Sequence, residues 1–239
     1  MPRSSRLPFA LLALTLAACG RLDDITGAGR PSLATTPPAR HPILFVHGWN
    51  SSAAAWTSMA AWFKADGWTD AELTTWSYNT AQSNVTTARE IQRKVDSILA
   101  ATGSPRVDII THSMGGLSAR YYVKNLRGAN KVDAWVSLAG PNHGTTTAYA
   151  CFQTSCFEMR PGSSFLAKLN QKDETPGAPR YATWWSTCDQ VIVPQTSTPL
   201  SGATNTLTAC LQHSQLREDF AVYQQVRDWV SPAAVLAAR

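Results

Sequence analysis

One serine in the chain has the surroundings of a nucleophile. Ser113 stands in Thr111-His112-Ser113-Met114-Gly115-Gly116, directly after the apolar run Val107–Ile110 and directly before a helical pattern. A serine on a tight strand-to-helix turn holds its oxygen out over the sheet edge, at the N-terminus of the next helix. Small residues let helix and strand close around such a turn, and Gly115 and Gly116 supply them. Thr111 departs from the G-x-S-x-G pattern, being β-branched where glycine is usual. A free hydroxyl is a weak nucleophile. It needs a base, a carboxylate to orient that base, and N–H donors for the oxyanion that develops on an attacked carbonyl.

On such an elbow the acid and then the histidine follow the serine in the chain. Of the five histidines, only His143 and His213 come after Ser113. His143 follows the strand-like run Val132–Leu138 too closely to leave room for an acid-bearing strand before it. His213 lies between the last strand-like run and the last helical pattern, where the base belongs. The acids in the interval are Asp133, Glu158, Asp173, Glu174 and Asp189. Asp133 opens a strand, the wrong end of a parallel sheet for catalysis. Glu158, Asp173 and Glu174 fall in a loop-and-helix insertion. Asp189 follows the run Tyr181–Trp185. The expected roles are therefore attack by Ser113, proton transfer by His213 and orientation of its imidazole by Asp189. The backbone amide of Met114 and that of Trp49, in His47-Gly48-Trp49, are the expected oxyanion donors. Trp49 is also placed to line an acyl pocket.

The elements that must hold these residues can be read from periodicity. Ile43–Val46, Leu73–Tyr78, Val107–Ile110, Val132–Leu138, Tyr181–Trp185 and Thr206–Ala209 read as strands. Ala53–Ala65, Thr86–Ala101, Met114–Leu126, Ser164–Leu169 and Ser214–Val230 read as helices, with Gly103 capping the second. Strands alternating with helices predict an α/β fold with a mostly parallel, doubly wound sheet and helices on both faces.

The length of 239 residues fits one domain with a proper core, and 15% charged with 44% hydrophobic residues excludes a disordered chain. A net charge of +5 could suggest a nucleic-acid partner. However, five arginines and two aspartates fall in residues 1–40, leaving 16 basic and 14 acidic residues beyond. The basic excess sits mostly outside the folded part, and no nucleic-acid partner is implied. Residues 1–18 combine Arg3 and Arg6 with the short apolar run Leu7–Ala18, the layout of a secretory signal peptide. The run ends in Leu16-Ala17-Ala18-Cys19, similar to the lipobox of bacterial lipoproteins, which makes Cys19 the expected lipidation site and membrane anchor. Residues 19–40, rich in Gly, Pro, Ser and Thr, read as a tether, and 41–239 as the catalytic domain.

Four stretches together resemble the class 2 lipases, the small secreted bacterial lipases of the α/β-hydrolase superfamily. They are Ile43–Trp49 (ILFVHGW), Val107–Leu117 (VDIITHSMGGL), Tyr121–Val132 (YYVKNLRGANKV) and Asp189–Val193 (DQVIV). The resemblance implies a compact α/β-hydrolase fold and hydrolysis of carboxylic esters, often triacylglycerols, with no cofactor; no metal-ligand residues are assigned, as no acidic loop has a recognisable ligand spacing, and calcium binding stays open. It assigns Ser113, Asp189 and His213 to the triad and the amides of Trp49 and Met114 to the oxyanion hole. A lipid ester is the expected partner and a monomer the expected state. Two other activities stay open, a polyester (polyhydroxyalkanoate or cutin-like) hydrolase and a short-chain esterase. A non-catalytic lipid-binding surface protein is the reading from another class. The segment from Pro141 to Ala182 is longer than in the most compact members and is either a cap over the acyl site or a packed surface excursion.

In an exported protein Cys151, Cys156, Cys188 and Cys210 should pair, leaving Cys19 for lipid. Cys188–Cys210 with Cys151–Cys156 is the expected pairing, since a bridge from beside Asp189 to near His213 would hold the triad loops together. The rival is a metal site built from Cys188, Asp189, Cys210 and His213.

Overall fold

A computed structural model describes residues 40–231. The expected signal peptide, Cys19 and all of the tether before Arg40 lie outside the described residues. Within them are six strands: β1 (Ile43–Val46), β2 (Leu73–Thr75), β3 (Val107–His112), β4 (Val132–Leu138), β5 (Arg180–Trp185) and β6 (Thr204–Leu207). They form one sheet in the order β2-β1-β3-β4-β5-β6, and each pairing is parallel. The helices are α1 (Thr57–Ala65), α2 (Asn84–Thr102), α3 (Gly115–Asn125), α4 (Thr154–Met159), α5 (Ser164–Asn170) and α6 (Phe220–Val230).

The near-continuous apolar strands are explained by burial on both faces. Side chains alternate along β1: Leu44 and Val46 join a core with Ile91 and Val95 of α2 and Leu117 of α3. Ile43 and Phe45 join a second core with Met59 and Phe63 of α1 and Val222 and Val226 of α6. Among the described residues, helices cover both faces of the sheet and each face has its own core. The chain steps from β1 to β2 on one side and then crosses back to β3 on the other. This reversal opens a crevice beyond the carboxyl ends of β1 and β3, the usual place for a ligand in such sheets.

Several boundaries differ from the periodic reading, each for a local reason. The first helix opens as a 3-10 turn, Ala53–Trp56. The edge strand β2 stops at Thr75, the last residue paired with β1; beyond it Tyr78 stacks on His47 and donates from its hydroxyl to the His47 carbonyl at 2.5 Å. The last helix starts at Phe220 rather than Ser214. Asp219 is its N-cap, its carboxylate accepting from the Val222 amide at 2.9 Å. Residues 214–219 remain with the loop that carries His213.

Candidate active site

Ser113 directly follows β3 with φ 56°, a left-handed conformation that costs a non-glycine residue on the order of 1–3 kcal/mol and persists only where its surroundings impose it. Here they do. The Ser113 amide donates to the Leu138 carbonyl at 2.9 Å, and the Ser113 carbonyl accepts from Gly116 at 3.0 Å. A Cβ on Gly115 would stand 2.5 Å from the His47 carbonyl oxygen, so only glycine lets α3 start this close to β1. A Cβ on Gly48 would stand 2.7 Å from the Ser113 Cβ, so the loop after β1 lies flush against the serine. Thr111 fits because its hydroxyl donates across the sheet to the Val136 carbonyl at 2.7 Å. The branch that looked out of pattern closes a bond to β4.

His213 and Asp189 meet as expected from their positions in the chain. The imidazole Nδ1 donates to Asp189 Oδ2 at 2.9 Å, and Asp189 is buried. Its other oxygen, Oδ1, accepts from the amides of Val191 at 2.8 Å and Ile192 at 2.9 Å. A carboxylate can only accept here, so Nδ1 carries the proton and Nε2 of the neutral ring keeps a lone pair, the form of a general base. The His213 loop is held from three directions. Cys210 is bonded to Cys188, with their Cα atoms 5.1 Å apart. The His213 amide donates to Gln190 Oε1 at 3.2 Å, and its carbonyl accepts from His112 Nε2 at 2.9 Å.

His112 is a residue that chain order alone passes over, since it precedes the serine. It is buried beside the His213 ring, centroids 4.6 Å apart. Burial, then the neighbouring His213, hold its pKa well below the ordinary imidazole value. A neutral His112 with the proton on Nε2 is the form that can donate to the His213 carbonyl. The disulfide between Cys188 and Cys210 also removes both thiolates from the rival metal reading.

Ser113 and His213 open onto one cleft of about 330 Å³. Ala148, Cys151, Met159, Val191 and Ile192 give it an apolar wall, with Thr145, Thr147 and Trp49 beside them. Met114, at the N-cap of α3, has its N–H in the first turn, where a helix offers no internal acceptor. The remaining acids and histidine of the interval have other partners. Asp133 pairs with Arg180 at 2.7 Å at the amino end of the sheet. His143 and Glu174 pair with each other at 2.7 Å. Asp173 accepts from the Thr175 amide at 2.9 Å. Glu158 accepts from the Ser83 hydroxyl at 2.5 Å and the Asn84 amide at 2.6 Å, at the start of α2.

The long connection between β4 and β5 is fastened at its base by α3. Lys124 donates to the carbonyls of Leu169, Gln171 and Asp173 at 2.6–2.9 Å, where α5 ends. One turn earlier, the buried Arg120, its pKa brought down to about 10 by burial, donates to the Asn142 carbonyl at 3.1 Å and to Asn170 Oδ1 at 2.6 Å. Nearer the cleft, Cys151 is bonded to Cys156, Cα atoms 5.8 Å apart. Ser155 donates to the Thr80 carbonyl at 2.6 Å, and the Trp49 indole donates to Gln153 Oε1 at 2.5 Å.

The profile of the class 2 lipases matches residues 40–231. Among solved structures, the mature form of Bacillus licheniformis lipase BlEst2 superposes with a TM-score of 0.73 at 17% identity, over 82% of this chain and 94% of that one. Aspergillus fumigatus lipase B gives a TM-score of 0.70 at 16% identity, over 81% of this chain and 53% of that one. The lin2722 product of Listeria innocua gives 0.61 at 11% identity, over 79% and 93%. At such identities these neighbours share the fold.

Proposed function

The chain belongs to the class 2 lipase family, and from that premise we propose that it is a serine hydrolase of lipid carboxylic esters working through an acyl-enzyme. The observation that carries this reading is the buried His213–Asp189 pair on the same apolar cleft as a left-handed Ser113 at a helix N-terminus. In the reaction His213 Nε2 takes the Ser113 hydroxyl proton as the oxygen bonds the ester carbonyl carbon. The carbonyl oxygen becomes an oxyanion facing the amides of Met114 and Trp49. Collapse breaks the ester C–O bond, and His213 returns the proton to the departing alcohol. A water molecule then gives its proton to His213 as its oxygen bonds the acyl carbon; the bond to Ser113 Oγ breaks, His213 returns the proton to Ser113, and the fatty acid leaves. Asp189, held by two amides, keeps the imidazole in its tautomer and stabilises its cationic form. The cleft wall of Ala148, Met159, Val191 and Ile192 suits an acyl chain.

Hydrolysis of p-nitrophenyl esters from C2 to C16, with a long-chain triglyceride alongside, tests this reading and sets the chain-length preference. A fluorophosphonate should modify Ser113 and abolish turnover. An unlabelled, inactive protein that still binds lipid would replace the hydrolase by a binding module. The two disulfides fit an enzyme of an oxidising compartment. We infer export and anchoring through lipid on Cys19, with the domain acting as a monomer. Cys19→Ser should move the protein from the membrane fraction to the soluble one, and an unchanged membrane fraction would refute the anchor.

A further inference from the structure

Asp189 Oδ2 receives His213, while Oδ1 is held by the amides of Val191 and Ile192 at 2.8 and 2.9 Å. Those amides fix how the carboxylate can turn. What fixes the second of them comes from outside the acid loop. The Val191 carbonyl and the Ile192 N–H belong to one planar peptide unit, so whatever holds the oxygen also aims the N–H. The Val191 oxygen accepts from the Thr145 hydroxyl at 2.6 Å and from the Thr147 hydroxyl at 2.7 Å. A carbonyl oxygen has two lone pairs and each hydroxyl has one hydrogen, so the pair of threonines saturates this acceptor. Their oxygens stand 3.0 Å apart because they converge on it.

The backbone continues the contact. The Val193 amide donates to Thr145 Oγ1 at 3.0 Å, and the Thr146 amide donates to the Val193 carbonyl at 2.8 Å. Residues 145–147 thus lie as a short ladder beside 191–193, although Thr147 and Val191 are 44 residues apart in the chain. Thr145 is buried, and its own amide donates to the Met159 carbonyl at 2.9 Å, which ties it to α4. Both threonines border the cleft that holds Ser113 and His213, yet their hydroxyl hydrogens are committed to Val191. A wall position needs only the shape, which valine would supply. The hydroxyls matter to a chain of hydrogen bonds that runs from the threonines through the Val191–Ile192 peptide to Asp189 and on to His213. Bonds in such a chain polarise one another.

We propose that Thr145 and Thr147 are positioning residues for the catalytic acid. Acting through the Val191–Ile192 peptide unit, they aim and polarise the N–H that holds Asp189 Oδ1, and so set the angle at which Oδ2 receives the His213 imidazole. The opening of the Pro141–Ala182 segment is then a brace for the acid loop. Thr146, between the two, is exposed and its hydroxyl reaches only the Val193 carbonyl, at 3.4 Å, so its side chain has no part in the brace. This inference rests on the serine-hydrolase reading of the site, because it adds support to the acid of that reaction.

The test measures turnover of dissolved p-nitrophenyl butyrate by the full chain. Thr145→Val with Thr147→Val should lower kcat at least about tenfold and leave KM within about twofold, because misaiming a positioned group costs rate rather than binding. Thr147→Val alone, at the exposed position, should lose about threefold and keeps the test open if the double variant does not fold. Thr145→Ser with Thr147→Ser, which keeps both hydroxyls, should recover most of the loss, and Thr146→Val should match the parent. In an Asp189→Ala background the same two valines should change kcat by less than about twofold, since the group they act through is gone. An equal loss in that background, a rise in KM with kcat held, or no loss with the valine pair would each overturn the proposal. If the parent leaves the ester intact, the hydrolase reading fails by itself. The low-field NMR resonance of the His213 Nδ1 proton, which reports how closely Asp189 is held, then decides the brace. The valine pair should move it upfield and the serine pair should not; an unmoved resonance with the valine pair would overturn the brace.

Discussion

The two disulfides border one site but close loops of very different reach. Cys188–Cys210 spans a sequence separation of 22 and joins the loop after β5, which carries Asp189, to the loop after β6, which carries His213. Cys151–Cys156 spans a separation of 5 and closes on itself the loop that displays Phe152. On a chain-entropy view the first stabilises by about 3 kcal/mol and the second by about 2. That difference is small beside the difference in what each holds. The longer bridge fixes the relation between two side chains that must stay in hydrogen-bond register. The shorter one fixes the shape of a surface. On the proposed function, the longer bridge serves reaction geometry and the shorter one holds a surface loop.

The strongest challenge to this contrast is the catalytic side itself. His213→Ala should cut kcat on p-nitrophenyl butyrate by about 10⁴-fold or more, with an unchanged circular-dichroism spectrum. A loss under tenfold would remove His213 from the reaction. Next in size, Cys188→Ser with Cys210→Ser should lose up to about 3 kcal/mol in urea unfolding and drop kcat on the same dissolved ester at least about tenfold, because small displacements of positioned groups are costly. Cys151→Ser with Cys156→Ser should lose at most about 2 kcal/mol and hold kcat on the dissolved ester within about threefold. If the two pairs affected kcat equally, the division between reaction geometry and a held surface loop would fall.

The smallest effect concerns His112, the internal prop of the His213 loop. Its folded pKa lies well below the ordinary 6.5 through burial first and the His213 charge second. Below pH 6.5 the unfolded chain takes up a proton that the folded imidazole refuses. Stability from this group is therefore full above 6.5 and drains away as pH falls. His112→Gln, which keeps a donor but does not titrate, should flatten the fall in unfolding free energy, measured by urea titration, between pH 7 and pH 5 by up to about 1.4 kcal/mol per pH unit. His41 and His47, both also lowered by burial, leave the variant with some slope. An unaltered slope would place the titrating prop elsewhere.

Much of the fold was legible because its signals are local. Ile43–Val46 and Val107–Ile110 are apolar without alternation, which only a strand covered on both faces tolerates. Ile91, Val95 and Ile98 mark one face of α2, and Gly103, at φ 68°, ends it as a left-handed cap should. What stayed hidden depends on distant partners. Nothing near Ser214 says that the helix waits for Asp219, because the periodicity of Leu216 and Phe220 continues across a segment spent on the His213 loop. In the candidate site, chain order brought out Ser113, Asp189 and His213. It could not disclose His112 as a prop, since that role exists only where β3 passes the loop after β6. Thr111 looked like a flaw for the same reason: the carbonyl that receives its hydroxyl is on β4. Glu158, discarded as an acid of the insertion, proves to be the fastening between that insertion and α2.

Because the strands all run the same way, residue 40 and the cleft lie at opposite ends of the sheet. The chain enters at the amino end of β1, while Ser113, Asp189 and His213 follow the carboxyl ends of β3, β5 and β6. A support coupled at Arg40 itself would hold the end of the sheet opposite the cleft. A preparation immobilised there would present its cleft to the liquid. One coupled through lysines at random would bury a share of its clefts against the support. The orientation is a property of parallel topology, and it would survive any exchange of side chains at the surface.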